Sequence, residues 1–307
     1  MPDAPYPPVE VPQAEPPTRP GPNAGPGHAP KIPTVRAPVG ACDAHVHMLA
    51  GPSEYPLWSG RSEDPEAGRS FEGWLGLLRE HLDLLGCTRV VLVQSILYGA
   101  DNAVTLDAVR RLGPMARAVA LASEDATDEH LDGLRTAGAV ALRVNLVHGG
   151  VLSWEGARAM APRLAERGMH LQLLLHADEH LDAIAGEIAA LPVPVALDHA
   201  GWPRDPGGLG VEGLCRLLGE GRAWVKLSGA YRFTAPPYRE ADALLRRLVD
   251  ANPERCLWGS DWPHIMLGQG VERPDAGVLL DAFMRAVEGS EARQRVLVDN
   301  PARLYGF

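Results

Sequence analysis

Cysteine is scarce in this 307-residue chain: there are four, Cys42, Cys87, Cys215 and Cys256, and none stands in a CxxC spacing. That pattern argues against a disulfide scaffold or a thiolate-built metal site. It fits buried thiols in a reducing compartment, so the cytoplasm is the expected location. Long hydrophobic runs are also missing. No apolar stretch approaches the roughly 18–20 residues a membrane-spanning helix needs, and the N-terminus lacks the apolar core of a secretory signal. Basic residues are the minority, 29 Lys and Arg against 39 Asp and Glu, for a net charge of −10. A nucleic-acid or other polyanionic partner is therefore not expected, and acidity at this level mainly favours solubility. No repeat of solenoid period is visible, and no feature specifies an oligomeric state.

Proline is distributed unevenly. Residues 1–38 hold nearly half of the 28 prolines, with few large apolar side chains. Such a segment cannot bury enough surface to offset its ordering entropy and reads as a disordered or extended tail. His28 within it is expected to be solvated.

From residue 39 onward the pattern alternates. Short apolar, strand-like runs occupy 40–48, 88–95, 116–123, 139–146, 170–176, 194–200, 223–229 and 256–261. Several are continuously apolar, as strands buried on both faces are. Helical spacing separates them. Trp74, Leu77, Leu78, Leu82 and Leu85 mark one apolar face, and Leu244, Leu245, Leu248 and Val249 another. Gly86, Gly113, Gly138 and Gly168 stand where helices should end. With 46% hydrophobic residues the chain can fill one barrel of about 250 residues. Eight strand–helix repeats predict a (β/α)8 TIM-type barrel spanning 39–307, with a doubly wound open sheet as the alternative.

The acid/base side chains cluster at strand ends. His45 and His47 close the first run, His176 the fifth, His199 the sixth and Asp261 the eighth. A parallel barrel gathers those ends at one mouth. Residues two apart on a strand share a face, so Asp43, His45 and His47 are expected to project together. Two imidazoles placed so can hold a divalent ion or polarise a carbonyl. His180 is expected on a helix surface. Asp261, between Trp258 and Trp262, needs partners because an unpaired buried charge is costly.

Several ordered stretches carry a family resemblance: Gly40-Ala-Cys-Asp-Ala-His-Val-His47, Val93-Gln-Ser-Ile-Leu-Tyr-Gly-Ala-Asp-Asn102, Leu197-Asp-His-Ala-Gly201, Val225-Lys-Leu-Ser-Gly229 with Tyr231-Arg232, Trp258-Gly-Ser-Asp-Trp-Pro-His264 and Asn300-Pro-Ala-Arg-Leu-Tyr305. The chain resembles the amidohydrolase superfamily, in the amidohydrolase-related branch that includes pyrone-dicarboxylate and sugar-lactone hydrolases. The resemblance covers residues 40–307 and implies a distorted (β/α)8 barrel with hydrolysis at its mouth. It implies catalytic roles for Asp261, His199, His45 and His47, and contacts to substrate carboxylates from Arg143 and Arg232, whose planar forks suit that task. Tyr98 and Asn102 are further substrate contacts it suggests, with turn-forming roles the alternative.

On metal the branch divides. Its pyrone lactonases work without one, whereas related decarboxylases and other lactonases use a divalent ion. His176 stands where metal-dependent relatives place a ligand, and the fourth strand lacks a bridging lysine or glutamate. The expectation is one Zn²⁺ or Mn²⁺ on His45, His47, His176 and Asp261, with a metal-independent site as the alternative. The function implied is opening of a small, carboxylated lactone by water that Asp261 activates, with a small anionic molecule as the substrate and neither nucleic acid nor membrane as a partner. The alternatives are a mononuclear metal-dependent decarboxylase, a lactone isomerase, and a barrel that binds a small acid without turning it over.

Overall fold

A computed structural model describes residues 29–61, 63–267 and 272–307. Most of the expected tail, including His28, lies outside the described residues. Its last part, 29–38, is held against the barrel: the Lys31 amide donates to Asp275, and the Thr34 amide and hydroxyl to Asp281 at 2.7 and 2.9 Å.

All eight predicted strands form: β1 (Cys42–Val46), β2 (Arg89–Val93), β3 (Ala116–Ala120), β4 (Ala139–Asn145), β5 (His170–Leu174), β6 (Val195–Leu197), β7 (Trp224–Leu227) and β8 (Cys256–Trp258). They pair in parallel in sequence order, β1 to β8. The principal connecting helices are α1 (Phe71–Leu85), α2 (Ala103–Leu112), α3 (Asp128–Thr136), α4 (Trp154–Glu166), α5 (Asp182–Ala190), α6 (Leu209–Gly219), α7 (Asp242–Ala251) and α8 (Ala276–Ala286). The four glycines expected at helix ends follow α1 to α4, and all have positive φ. Trp74, Leu78, Leu82 and Leu85 of α1 are buried as their spacing requires, while Leu77 is half-buried.

The barrel closes unevenly. No ladder joins β1 to β8. Beyond their ends a single parallel bridge links Val46 to Trp262, where the His47 amide donates to Trp262 O and the Asp261 amide to His45 O, both at 2.8 Å.

Side chains alternate between two apolar layers. Val90 and Leu92 join the helices in the outer core, whereas Cys42, Ala44, Val91, Val93, Ala196, Trp224 and Tyr305 fill the inside. Tyr305, from the terminal helix Asn300–Tyr305, plugs the floor. Above that floor the inward positions turn polar, with Arg143, Gln172, Asp198 and Lys226 all buried.

Burial also makes the interior acid-sensitive. His170 and His264 are pushed to about 3 by desolvation, with neighbouring cations adding to the shift. In the unfolded chain both titrate near the ordinary value of about 6.5. Between those limits the unfolded state binds more protons, so stability falls as pH drops below 6.5. The thermal midpoint should decline steadily from pH 6.5 to 4, and less steeply in His170→Gln. Equal slopes in the two proteins would assign the acid loss elsewhere.

Candidate active site

The first strand delivers its histidines through a bulge. Asp43 pairs with Val90 and Val46 with Leu92, so β1 advances three residues for two on β2. Such an insertion re-aims the side chains that follow it. Asp43 therefore parts from His45 and His47, contrary to the strict alternation expected. Its carboxylate turns toward α1, 3.1 Å from His81 Nε2, and accepts the Ser260 amide at 2.9 Å. His45 and His47 instead face Asp261. Gly259 permits that approach, since a Cβ there would lie 2.7 Å from His45 Cβ.

Asp261 is the hub. Its Oδ1 lies 3.3 Å from His47 Nε2 and 3.6 Å from His45 Nε2, and its Oδ2 lies 3.6 Å from His199 Nε2. Oδ2 also accepts from Tyr231 Oη at 2.5 Å and Arg232 Nη2 at 2.9 Å. Two rings are anchored from behind by their Nδ1 atoms, His47 on Val93 O at 2.8 Å and His199 on Ser228 Oγ at 2.9 Å, while His45 Nδ1 faces Asp198 Oδ1 at 3.3 Å, short of a hydrogen bond. The Val93 carbonyl only accepts, so Nδ1 of His47 carries a proton.

Electrostatics follow from burial. Desolvation lowers His45 to about 4, against the pull of Asp198, and lowers His199 well below its ordinary value. Both are neutral at pH 7. Burial would raise the Asp261 carboxyl, but the surrounding imidazoles and Arg232 hold it well below the carboxylate range. The Arg232 guanidinium stacks 4.5 Å over Trp202. The backbone is tense here too: His199, Ala200, Trp202, Asp261, His264 and Met266 all have positive φ. Such conformations cost of order 1–3 kcal/mol each and concentrate at functional sites.

Arg143 and Arg232 line the same small cavity, with His47, His148, His199 and Asp261. The other expected residues lie apart. Tyr98 Oη accepts from the Ala50 amide and donates to Ala50 O, both at 2.7 Å, pinning the β1 loop. Asn102 bridges to the Leu121 amide and carbonyl at 2.8 and 2.7 Å. The structure therefore gives both residues loop-holding contacts. His176 is not brought to the histidine group: its Nδ1 is bonded to Trp202 O at 2.9 Å, and its ring packs edge-on against Trp202, which lies between it and His199. His180 is buried rather than exposed. Sequence reasoning missed Asp198, Ser228, Tyr231, His148 and Lys226. For Asp198 the available signal was its place beside His199 at a strand end.

Comparison with known proteins bears on this arrangement. The family described as Amidohydrolase matches residues 42–307. The chain belongs to the amidohydrolase family. Among its relatives, 2-pyrone-4,6-dicarboxylate hydrolase of Comamonas testosteroni is 34% identical over 90% of this chain and 93% of its own length. A 4-sulfomuconolactone hydrolase of Hydrogenophaga intermedia is 32% identical over 88% and 89%. A crystal structure of an Agrobacterium tumefaciens protein superposes with a TM-score of 0.78 at 26% identity, covering 90% of this chain and 98% of that one. No helix among the described residues of this amidohydrolase is long and apolar enough to cross a membrane.

Many amidohydrolases use a metal, and the donor set here fits one. His45, His199 and Asp261 offer ligand atoms all within 4.8 Å of one another. His45 Nε2 and Asp261 Oδ1 are buried without a hydrogen-bond partner. Imidazole nitrogens converging on a carboxylate oxygen suit a divalent cation, and Asp198 behind His45 is placed as the usual outer partner of a ligating histidine.

Proposed function

We propose that this amidohydrolase opens a small lactone bearing carboxylate groups. The observation that carries the reading is the buried Asp261 carboxylate, ringed by three imidazole Nε2 atoms in a cavity that Arg143 and Arg232 share. Asp261 takes a proton from the attacking water as its oxygen bonds to the lactone carbonyl carbon. It returns that proton to the ring oxygen as the C–O bond breaks. Once Asp261 holds the proton, the Tyr231 hydroxyl is released to donate to the tetrahedral oxyanion, with the histidines lining the same space. Arg143 and Arg232, each with a buried Nε lacking a partner, orient the substrate's anionic groups. The two relatives named above are hydrolases of a pyrone dicarboxylate and a sulfonated muconolactone, lactones that likewise carry anionic substituents.

His45, His199 and Asp261 would hold a divalent ion, with His47 beside them. Bound there, the ion would supply Lewis acidity toward carbonyl and water oxygens. Treatment with a chelator should lower turnover, and Zn²⁺ or Mn²⁺ should restore it. Full activity in protein shown to be metal-free would reduce the group to hydrogen-bonding roles and leave the lactone assignment standing.

Incubation with a panel of carboxylated and sugar lactones, followed by mass spectrometry, tests the function. The expected product is heavier by one water. An unchanged mass with a new chromatographic position would mean isomerisation, and loss of CO₂ would mean decarboxylation. Tight binding with no product would mean a binding barrel.

A further inference from the structure

One layer below the mouth lies a buried cation that the proposed reaction leaves unused. Lys226, on β7, is one of only two lysines in the chain and is fully buried. Its Nζ donates to Ala44 O at 2.8 Å and to Gln172 Oε1 at 2.5 Å, and lies 3.8 Å from Asp198 Oδ1. Burial lowers the ammonium to about 8, with Asp198 opposing the shift, so it stays charged at neutral pH.

Asp198 is shared among several groups. Its Oδ1 faces His45 Nδ1 at 3.3 Å. Its Oδ2 accepts from Gln172 Nε2 at 3.1 Å and lies 3.7 Å from Arg143 Nη2. Gln172 thus links the lysine to the carboxylate, accepting from one and donating to the other.

The 3.7 Å separation is informative. A guanidinium so close to a buried carboxylate should close to a charge-assisted bond of about 2.8 Å. Arg143 is lightly tethered, with one long 3.4 Å contact to Gln94 O and an unpartnered Nε. A counter-charge already on Asp198 removes most of the force that would draw it in. We propose that Lys226 is a positioning residue: by neutralising Asp198 from below, it leaves the Arg143 fork open to the substrate's anionic group while Asp198 still orients His45. The inference rests on the carboxylated-lactone reading for its kinetic consequence, but not for its geometry.

Lys226→Met tests it. A crystal structure of the variant without substrate should show Arg143 Nη2 and Asp198 Oδ2 contracting from 3.7 Å to hydrogen-bond distance. On a carboxylated lactone, KM should rise about 10- to 100-fold, with a smaller fall in kcat. Adding Asp198→Asn should return KM toward the parent value. In that double variant kcat should fall about 10- to 100-fold, because an amide, unlike a carboxylate, can turn an N–H to His45 Nδ1 and so no longer fixes its tautomer. Should Lys226→Met not fold, Lys226→Gln keeps a donor for Ala44 O and carries the same expectations. A purely structural lysine would lower kcat with KM unchanged and Arg143 in place, and that result overturns the proposal. If the parent turns over no lactone, the functional reading fails, while the Arg143–Asp198 distance still decides the role of Lys226.

Discussion

Asp261→Asn should abolish lactone turnover, by at least about 10³-fold in kcat, while the barrel stays folded. A positioned acid/base contributes about 10²–10⁴-fold, and the amide cannot accept the water's proton. The amide oxygen can still accept from Tyr231 Oη and Arg232 Nη2, which hold Oδ2 at 2.5 and 2.9 Å, so the fold keeps its local partners. Circular dichroism and thermal unfolding should match the parent within a few degrees. Turnover within tenfold of the parent would remove Asp261 from the chemistry.

Arg232→Met should raise KM for a carboxylated lactone about 30- to several-thousand-fold. Truncating one member of a buried, hydrogen-bonded charge pair costs about 2–5 kcal/mol, and each 1.4 kcal/mol is tenfold. Methionine keeps much of the packing against Trp202, over which the guanidinium stacks at 4.5 Å, so the lost quantity is charge and not volume. The same substitution removes a cation that holds Asp261 below the carboxylate range, and kcat should change less than KM. A neutral sugar lactone serves as the internal comparison: its KM should move little. Equal losses on neutral and anionic substrates would assign Arg232 to holding Asp261 and not to recognition.

The strands were legible because buried parallel strands write themselves as apolar runs, and all eight runs became strands. The mouth was legible for a related reason. Polar residues at the ends of such runs have few places to go, and His45, His47, His199 and Asp261 do meet. What escaped was the direction of side chains. Strict alternation put Asp43 with His45, but the bulge in β1 is a property of how β1 registers on β2, which the local sequence does not display. Lys226 sits inside an apolar run, and whether it faces helices or the barrel axis depends on closure of the whole sheet. His176 ends its strand as the others do, yet Trp202 takes up its Nδ1, a contact formed across 26 residues. Tyr98 and Asn102 lie in the right loop but spend their polar atoms on Ala50 and Leu121.

The seam between β1 and β8 bears on how this protein would lose activity. The hydrogen bonds that complete the circle, from the His47 amide to Trp262 O and from the Asp261 amide to His45 O, join the segments that carry two of the three imidazoles and the carboxylate. Closure of the cylinder and alignment of Asp261 with His45 and His47 are therefore one event. Where other strand pairs share a ladder, this pair has a single bridge, so the cheapest local opening separates Asp261 from His45 and His47 while the other seven junctions stay intact. The amidohydrolase thus places the proposed reacting geometry on a thinly reinforced joint, and on that proposal turnover would gauge ring integrity more sensitively than any probe of helix content.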